Sequence, residues 1–511
     1  MAGFRAWLRT KLEEPAPYWL TRFVFLRALG LIYFVAFLSL AHQLLPLLGS
    51  QGLLPAELYL DLVEGKVGGR FAGFLARPTL FWLYISDGFL LAMAWVGVVL
   101  SLVVLGGYAN ALLMTLLWAL YLSFVHIGQT WYSFGWEIQL LETGVLAIFL
   151  CPLLDGRPFP RTPPPRVIIW LLRWLTFRIM LGSGLIKLRG DACWRELTCL
   201  VYYYETQPVP HPLSWLLHSM PLWFHKLGVA FNHFVELFVP CFAFGPRRLR
   251  HIAGGLLVFF QVTLILSGNL SFLNWLTIVA YLGCFDDTLL RRVLPTRLVA
   301  ASERARAAAR PSRAQTWVVA GYALLVLGLS VAPMRNLIGS SQIMNTSFDR
   351  LNLVNTYGAF GSVGQVRNEI ILQGTRAEVI NEATVWKEYE WKCKPGDPMR
   401  RPCLITPYHY RLDWLIWFAA MSDYRRYPWL THMVWKLLHG DPGVLSLLAN
   451  DPFPQAPPRY IRAELYRYRF TRLGEDTDAW WKRHRVGSYL PPLSTDNESF
   501  KMFLKAYGWV E

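Results

Sequence analysis

RIMLGSGLIKLRGDACWRELTCLVYYYETQPVPHP, residues 178–212, starts as the last turns of an apolar helix and ends in a loop crowded with Tyr and Pro. The helix turns amphipathic at Lys187. Arg189, Asp191, Arg195, Glu196 and Glu205 then follow within a short distance of a hydrocarbon boundary. Each unpaired charge at such a depth is costly. The stretch therefore predicts a structured surface lying on one side of a membrane, built directly onto the end of a spanning helix.

The rest of the chain agrees with a membrane setting. Of its 511 residues 54% are hydrophobic and only 16% charged, which departs from soluble composition and predicts a polytopic membrane protein. The formal charge of +16 raises nucleic acid as a partner. The arginines, however, gather in short segments between apolar runs, where topology and anionic headgroups account for them, so no nucleic-acid partner is expected. The 23 Trp and 23 Tyr suit interfacial belts. The first apolar run, near 23–48, is too long for a signal-peptide core and reads as a signal anchor. The final residues, YGWVE, carry no retrieval or lipidation motif.

Further apolar runs lie near 80–105, 109–127, 138–154, 167–187, 227–245, 251–267, 270–285 and 316–334, giving about nine spans. The pair at 251–285 is divided only by SGNLS and reads as either two short spans or one helix with a re-entrant break. With residues 1–21 cytosolic, the connections 155–166, 246–251 and 286–314 fall on the cytosolic face. They are the most Arg-rich ones, as the positive-inside rule requires. The expected organisation is a bundle over 22–338, with outer loops at about 49–79 and 188–225 and a cytosolic Arg-rich loop at 286–314. An extracytosolic domain follows over 339–511.

The cysteines divide along the same line. Cys193 and Cys199 fall in one outer loop and Cys393 and Cys403 in the outer domain, whereas Cys151, Cys241 and Cys284 sit toward cytosolic ends of apolar runs. An oxidising compartment would bridge Cys193–Cys199 and Cys393–Cys403. Neither pair has CxxC spacing or an attendant His, so no metal site is expected. Sequons at Asn269, Asn345 and Asn497 all fall outside. Asn269 lies too close to the membrane, which leaves Asn345 and Asn497 as glycosylation candidates.

Beyond Gly339 the pattern changes. QVRNEIILQG (365–374), VWKEYEWKC (385–393) and RYIRAELYRYRFTR (459–472) alternate as half-buried strands do. YHYRLDWLIWFAAM (408–421), WLTHMVWKLLHG and VLSLLAN read as helices. A mixed α+β extracytosolic domain is the expectation.

No nucleophile elbow, HExxH, Walker loop or dinucleotide fingerprint is present, and no cofactor is expected. The conspicuous groups are polar residues within apolar runs: His126, Glu137, Glu142, Arg173, Arg178, Lys187, Asn232, His233 and Glu236. Asn232 and His233 share a helix face with Glu236. One reading is a polar pocket with Lys187 as base, partnered by His233 and Glu236. The other is a set of ion pairs locking the helices together. The outer aromatics Trp131, Trp136, Tyr202, Tyr203 and Tyr204 read either as interfacial belt residues or as a client-binding surface.

Several segments resemble the lipase maturation factor family: the opening stretch up to Leu200, YYETQPVPHPLSWLLH, NHFVELFVP, SGNLSFLNWLT, CFDD, NTYGAFG, WKEYEWKCKPGDPMRRPCLITPYHYRLDWLIWFAAM and PPRYIRAELYRY. The likeness runs from about Trp19 onward. It implies a multi-pass endoplasmic-reticulum membrane protein with a lumenal C-terminal domain, required for dimeric lipases such as lipoprotein lipase to reach an active fold. In a bacterial source the same arrangement would be an inner-membrane protein with a periplasmic domain. A secreted lipase client is implied as partner, beside the bilayer and the folding and redox machinery of the compartment. The membrane half also looks distantly like the vitamin K-dependent carboxylase bundle. That keeps an intramembrane enzyme acting on a lipid-soluble substrate as the alternative to a chaperone-like factor.

Overall fold

The computed structural model describes residues 17–510, so the basic segment carrying Arg5, Arg9 and Lys11 lies outside the described residues. The first helix, α1 (Trp19–Leu48), begins where the Asp287 carboxylate accepts from the backbone N–H groups of Trp19 and Leu20 at 2.9 Å and of Thr21 at 3.2 Å. A helix N-terminus leaves its first N–H groups unpaired, and here a distant carboxylate does the work of a cap. Asp287 is the last residue of CFDD, so this motif has a structural purpose.

The bundle continues with α2 (Asp87–Leu105), α3 (Ala111–Ile127), α4 (Gly135–Leu150), α5 (Arg166–Arg189), α6 (Leu222–Leu237), α7 (Arg247–Ser267), α8 (Leu273–Tyr281) and α9 (Arg313–Leu329), which leads into α10 (Val331–Ile338). Among the described residues six helical stretches are long and apolar enough to cross a membrane: α1, α2, α5, Leu222–Phe244, α7 and Arg313–Ile338. The other three are shorter. At 1.5 Å per residue, α3 and α4 reach about 25 Å against a hydrocarbon core of about 30 Å. The 251–285 region forms two helices, α7 and α8, and not one interrupted helix.

Hydrogen bonds identify the two ends of the bundle. At one end Arg22 donates to the Thr162 carbonyl at 2.8 Å, the Arg310 N–H to the Arg161 carbonyl at 2.9 Å, and Arg250 pairs with Asp286 at 2.9 Å. The connections 155–166, 246–251 and 286–314 therefore gather beside the start of α1. The C-terminal domain sits at the other end, where Gln43 near the end of α1 donates to the His409 carbonyl at 3.0 Å and accepts from the Arg411 N–H at 2.8 Å.

The C-terminal domain is mixed α/β. Its antiparallel sheet contains β1 (Arg367–Thr375), β2 (Lys387–Glu388), β3 (Tyr460–Phe470) and β4 (Trp481–Leu493), in the order β2-β1-β3-β4. Ile370, Leu372, Ile461 and Ala463 turn one face toward α11 (Arg411–Ala419) and α12 (Pro428–Leu438), in a core continuous with that of the bundle. Ile371, Tyr468, Phe470 and Trp481 form the other face, packed on Trp215 of the segment between α5 and α6.

Two expectations change here. Of 385–393 only Lys387–Glu388 is a strand, because the chain then enters the KPGDP turn. VLSLLAN is reduced to one helical turn, Pro442–Leu445. Also unread were β4, whose period is broken by Gly487, Pro491 and Pro492, and the final helix α13 (Glu498–Ala506).

Candidate functional site

The C-terminal end of α5 turns residues 178–212 into a tight corner. Gly190 and Gly182 pass so close to the segment after the bundle that an added Cβ would lie 1.9 Å from the Gly361 carbonyl oxygen and 2.3 Å from that of Tyr357. Absence of a side chain lets the two backbones meet. Asp191 completes the junction: its N–H donates to the Gly361 carbonyl at 3.0 Å, and its carboxylate accepts from the Val363 N–H at 2.7 Å. Cys193 and Cys199 are bonded to each other, with Cα atoms 4.7 Å apart, and Cys393 and Cys403 likewise at 5.5 Å.

Lys187, buried in the last turn of α5, donates to Glu236 at 2.5 Å and to Asn232 at 3.1 Å, and its ammonium lies 5.0 Å from the centre of the Trp194 ring. Asn232 in turn donates to the second Glu236 oxygen at 2.9 Å. His233 faces away: its Nε2 is 3.0 Å from the Trp194 carbonyl. Of the three proposed catalytic residues, Lys187 and Glu236 thus meet as a hydrogen-bonded pair, and His233 is held by another group.

The same closure recurs deeper in the bundle. Glu142 on α4 pairs with Arg178 on α5 and accepts from the Asn355 N–H at 3.0 Å, the Asn355 side chain at 3.1 Å and the Tyr357 hydroxyl at 2.7 Å. Arg178 donates to the Asn355 carbonyl at 2.6 Å. NTYGAFG is therefore the strap that returns from the end of the bundle to satisfy a buried ion pair. At the start of α4, Glu137 takes Arg411 of the C-terminal domain at 2.8 Å, together with the Trp136 indole at 2.8 Å and the Tyr121 hydroxyl. Buried charges in such settings need partners and further hydrogen bonds, and these have both.

A second charged cluster ties the segment between α5 and α6 to the sheet. Arg367 pairs with Glu369 at 2.6 Å and donates to the carbonyls of Glu205 at 2.8 Å and Gln207 at 2.5 Å, while Lys394 reaches Glu369 at 3.0 Å. All three charged side chains are buried. Burial pulls the Lys394 ammonium down to about 8, against the opposing pull of Glu369. Burial likewise pushes the Asp413 carboxyl up to about 6, although the Cys393 N–H donates to it at 2.5 Å. Sequence reasoning missed this cluster. Its one signal is Arg and Glu alternating within the otherwise apolar β1.

The aromatic candidates are placed inward. Trp131 and Trp136 lie in the core, with Trp131 against Trp429 and Trp136 edge-on to Trp414 at 4.8 Å. Tyr203 and Tyr204 are buried around the first disulfide, and Tyr202 is half-buried. For the buried four, contact with a client would require them to leave the core. Among the sequons, Asn345 is half-buried against Gly135. Asn269 is buried and clamps the bundle to the domain through the Cys403 carbonyl at 2.8 Å. Asn497 is exposed and caps α13 through Oδ1, which accepts from the Phe500 N–H at 3.0 Å and leaves Nδ2 free of that bond. Among the described residues no group of three or more His, Cys, Asp or Glu could hold a metal.

Comparison with known proteins completes the description. Residues 20–292 match the lipase maturation factor transmembrane domain and residues 353–491 the lipase maturation factor C-terminal domain. The chain is 50% identical to cattle (Bos taurus) lipase maturation factor 1 over 93% of its own length and 89% of the relative's. It is 49% identical to the human protein of that name, over 96% and 90% respectively. Mouse (Mus musculus) lipase maturation factor 2 is 30% identical over 95% of this chain and 84% of its own. No solved structure matches.

Proposed function

The chain belongs to the lipase maturation factor family, and we propose that it is a membrane-resident factor that folds or assembles secreted dimeric lipases such as lipoprotein lipase. One observation carries this reading. Both disulfide-bearing segments and the whole C-terminal domain gather at the bundle end opposite the Arg-rich connections. Under the positive-inside rule the Arg-rich end is cytosolic, which puts the bridged cysteines and the domain in the lumen of the endoplasmic reticulum, or in a periplasm.

In this reading α3, α4 and α8 also span, for nine passes. A short helix tolerates mismatch by local thinning of the bilayer, and α4 is enclosed by its neighbours. The factor offers the client a rigid outer platform, in which the outer loop, the strap around NTYGAFG and the sheet are locked by buried ion pairs. The disulfides brace that platform. Folding and redox machinery of the same compartment acts alongside it. Asn497, and less favourably the half-buried Asn345, are the glycan acceptors.

The test is restoration of secreted lipase activity. Co-expression of this chain with lipoprotein lipase, in cells deprived of their own maturation factor, raises the specific activity of secreted lipase. Unchanged activity contradicts the proposal. For the intramembrane-enzyme alternative no specific observation speaks, since Lys187 is engaged by Glu236 and Asn232 while His233 turns to a carbonyl.

A further inference from the structure

Phe453, buried to 7% exposure, lines a pocket beside the hairpin between β1 and β2. Gly374 gives that ring its place: a Cβ there would lie 2.6 Å from Phe453, so only a bare backbone lets Phe453 lie against β1. The result is a pocket of about 270 Å³ lined by Thr375, Arg376, Ala377, Val385, Lys387 and Phe453. Two cations flank the ring, the Arg376 guanidinium carbon at 5.6 Å from its centre and the Lys387 ammonium at 5.7 Å.

Among the described residues neither cation is neutralised by its neighbours. Arg376 spends Nε and one terminal nitrogen on the Ala456 carbonyl, a neutral acceptor. The acids adjacent in sequence are committed elsewhere, Glu378 to Arg459 at 3.4 Å and Glu388 to Arg483 at 2.9 Å. Meanwhile the hairpin shows apolar side chains to solvent: Val385 is 76% exposed and Val379 71%. Solvated lysines and arginines are ordinary on a surface. Two uncompensated cations around an aromatic floor, beneath exposed valines, make a narrower demand. They fit a group that is apolar on one side and carries a carboxylate on the other.

We infer that this pocket binds an acidic–apolar segment of a polypeptide, seating an apolar side chain on Phe453 and Val385 and the neighbouring carboxylate between Arg376 and Lys387. The volume admits about one such side chain with its acidic neighbour, less than a drug-sized site of roughly 300 Å³ or more. A partly folded chain exposes such segments, so the inference deepens the client-folding reading and rests on it for the identity of the natural ligand. Its chemistry can be tested without any lipase.

The full chain, reconstituted in nanodiscs of phosphatidylcholine, is titrated with two fluorescent end-blocked nonapeptides that differ only in a central Leu-Glu or Leu-Gln. Charge-assisted hydrogen bonds give the Leu-Glu peptide an advantage of about tenfold or more, shrinking as salt is raised. In Arg376→Gln/Lys387→Gln the advantage disappears, and in Arg376→Glu/Lys387→Glu it passes to a Leu-Lys peptide. Equal binding of the first two peptides overturns the inference. So does a preference that survives the double substitution, or displacement of the peptide by anionic lipid vesicles but not by unlabelled Leu-Glu peptide. A preference abolished by the pair while lipase maturation is unchanged supports the pocket and counts against the client reading. Maturation lost while the peptide preference is intact in the same variant overturns the pocket alone.

Discussion

Lys187, Glu142 and Glu137 were conspicuous in the sequence because charge is expensive inside an apolar run, and each turns out to be closed on a partner. Their partners differ in legibility. Asn232 and Glu236 could be grouped from helical spacing alone. Arg411 and Asn355, which answer Glu137 and Glu142, lie more than two hundred residues away, and no local pattern announces such a pairing. If these pairs are structural, Lys187→Ala leaves Glu236 buried without its cation and costs about 3–5 kcal/mol. Lys187→Met/Glu236→Leu removes both charges and should recover most of that loss, as read from the thermal midpoint of the detergent-solubilised chain. A base in a reaction would behave otherwise, because the double variant would restore stability without function.

Asp413 provides a pH test at the same scale. Its folded value of about 6 lies above the ordinary 3.8, chiefly through burial. The folded state therefore holds the proton more tightly than the unfolded one between those values. Stability from this residue is highest below about pH 4, falls as pH rises through 6 and is level above. The change is about 3 kcal/mol. Lys394 acts in a separate window, its cost being relieved only above about 8. In Asp413→Asn the change in unfolding midpoint between pH 5 and 7 should shrink relative to the parent. An identical pH profile in the two proteins would show that Asp413 carries no such term.

Among the elements, the long apolar helices and the strands β1 and β3 could be read from periodicity, since a buried stripe or a half-buried face leaves its period in the sequence. β4 could not. It is an edge strand with register shifts against β3, and its charges (Lys482, Arg483, Arg485), Gly487 and prolines are the devices that keep an edge from pairing with other chains. The features that protect it also erase its alternation. Contacts between elements leave no local pattern either: Gly182 and Gly190 are contact points for the strap. Gly182→Val should force the strap off α5, exposing residues 353–363 to limited proteolysis while the bundle stays intact. Resistance equal to the parent would show that the close approach is dispensable. Loss of the Cys393–Cys403 bridge by Cys403→Ser should cost about 2–3 kcal/mol, as expected for a loop of this size. A shift in apparent thermal midpoint measures it, and no shift would make the bridge incidental.

The molecule as a whole depends on having two unlike ends. Around the start of α1 the Arg-rich connections are held through Asp286 and backbone carbonyls, while Asp287 accepts from the N–H groups that open α1. Around its finish the strap and one face of the sheet share a core with the bundle, and the Cys193–Cys199 loop packs beside them in a cluster of its own. Family membership names a class of client, but only the sidedness brings a secreted lipase and the platform into one compartment. Sealed microsomes bearing the chain with a C-terminal epitope tag, treated with protease from the cytosolic side, give the most direct test. The tag and the domain beyond Gly339 should be fully protected and become digestible only when detergent opens the vesicles. Digestion of the domain in intact vesicles would contradict the orientation and, with it, the proposed lipase client.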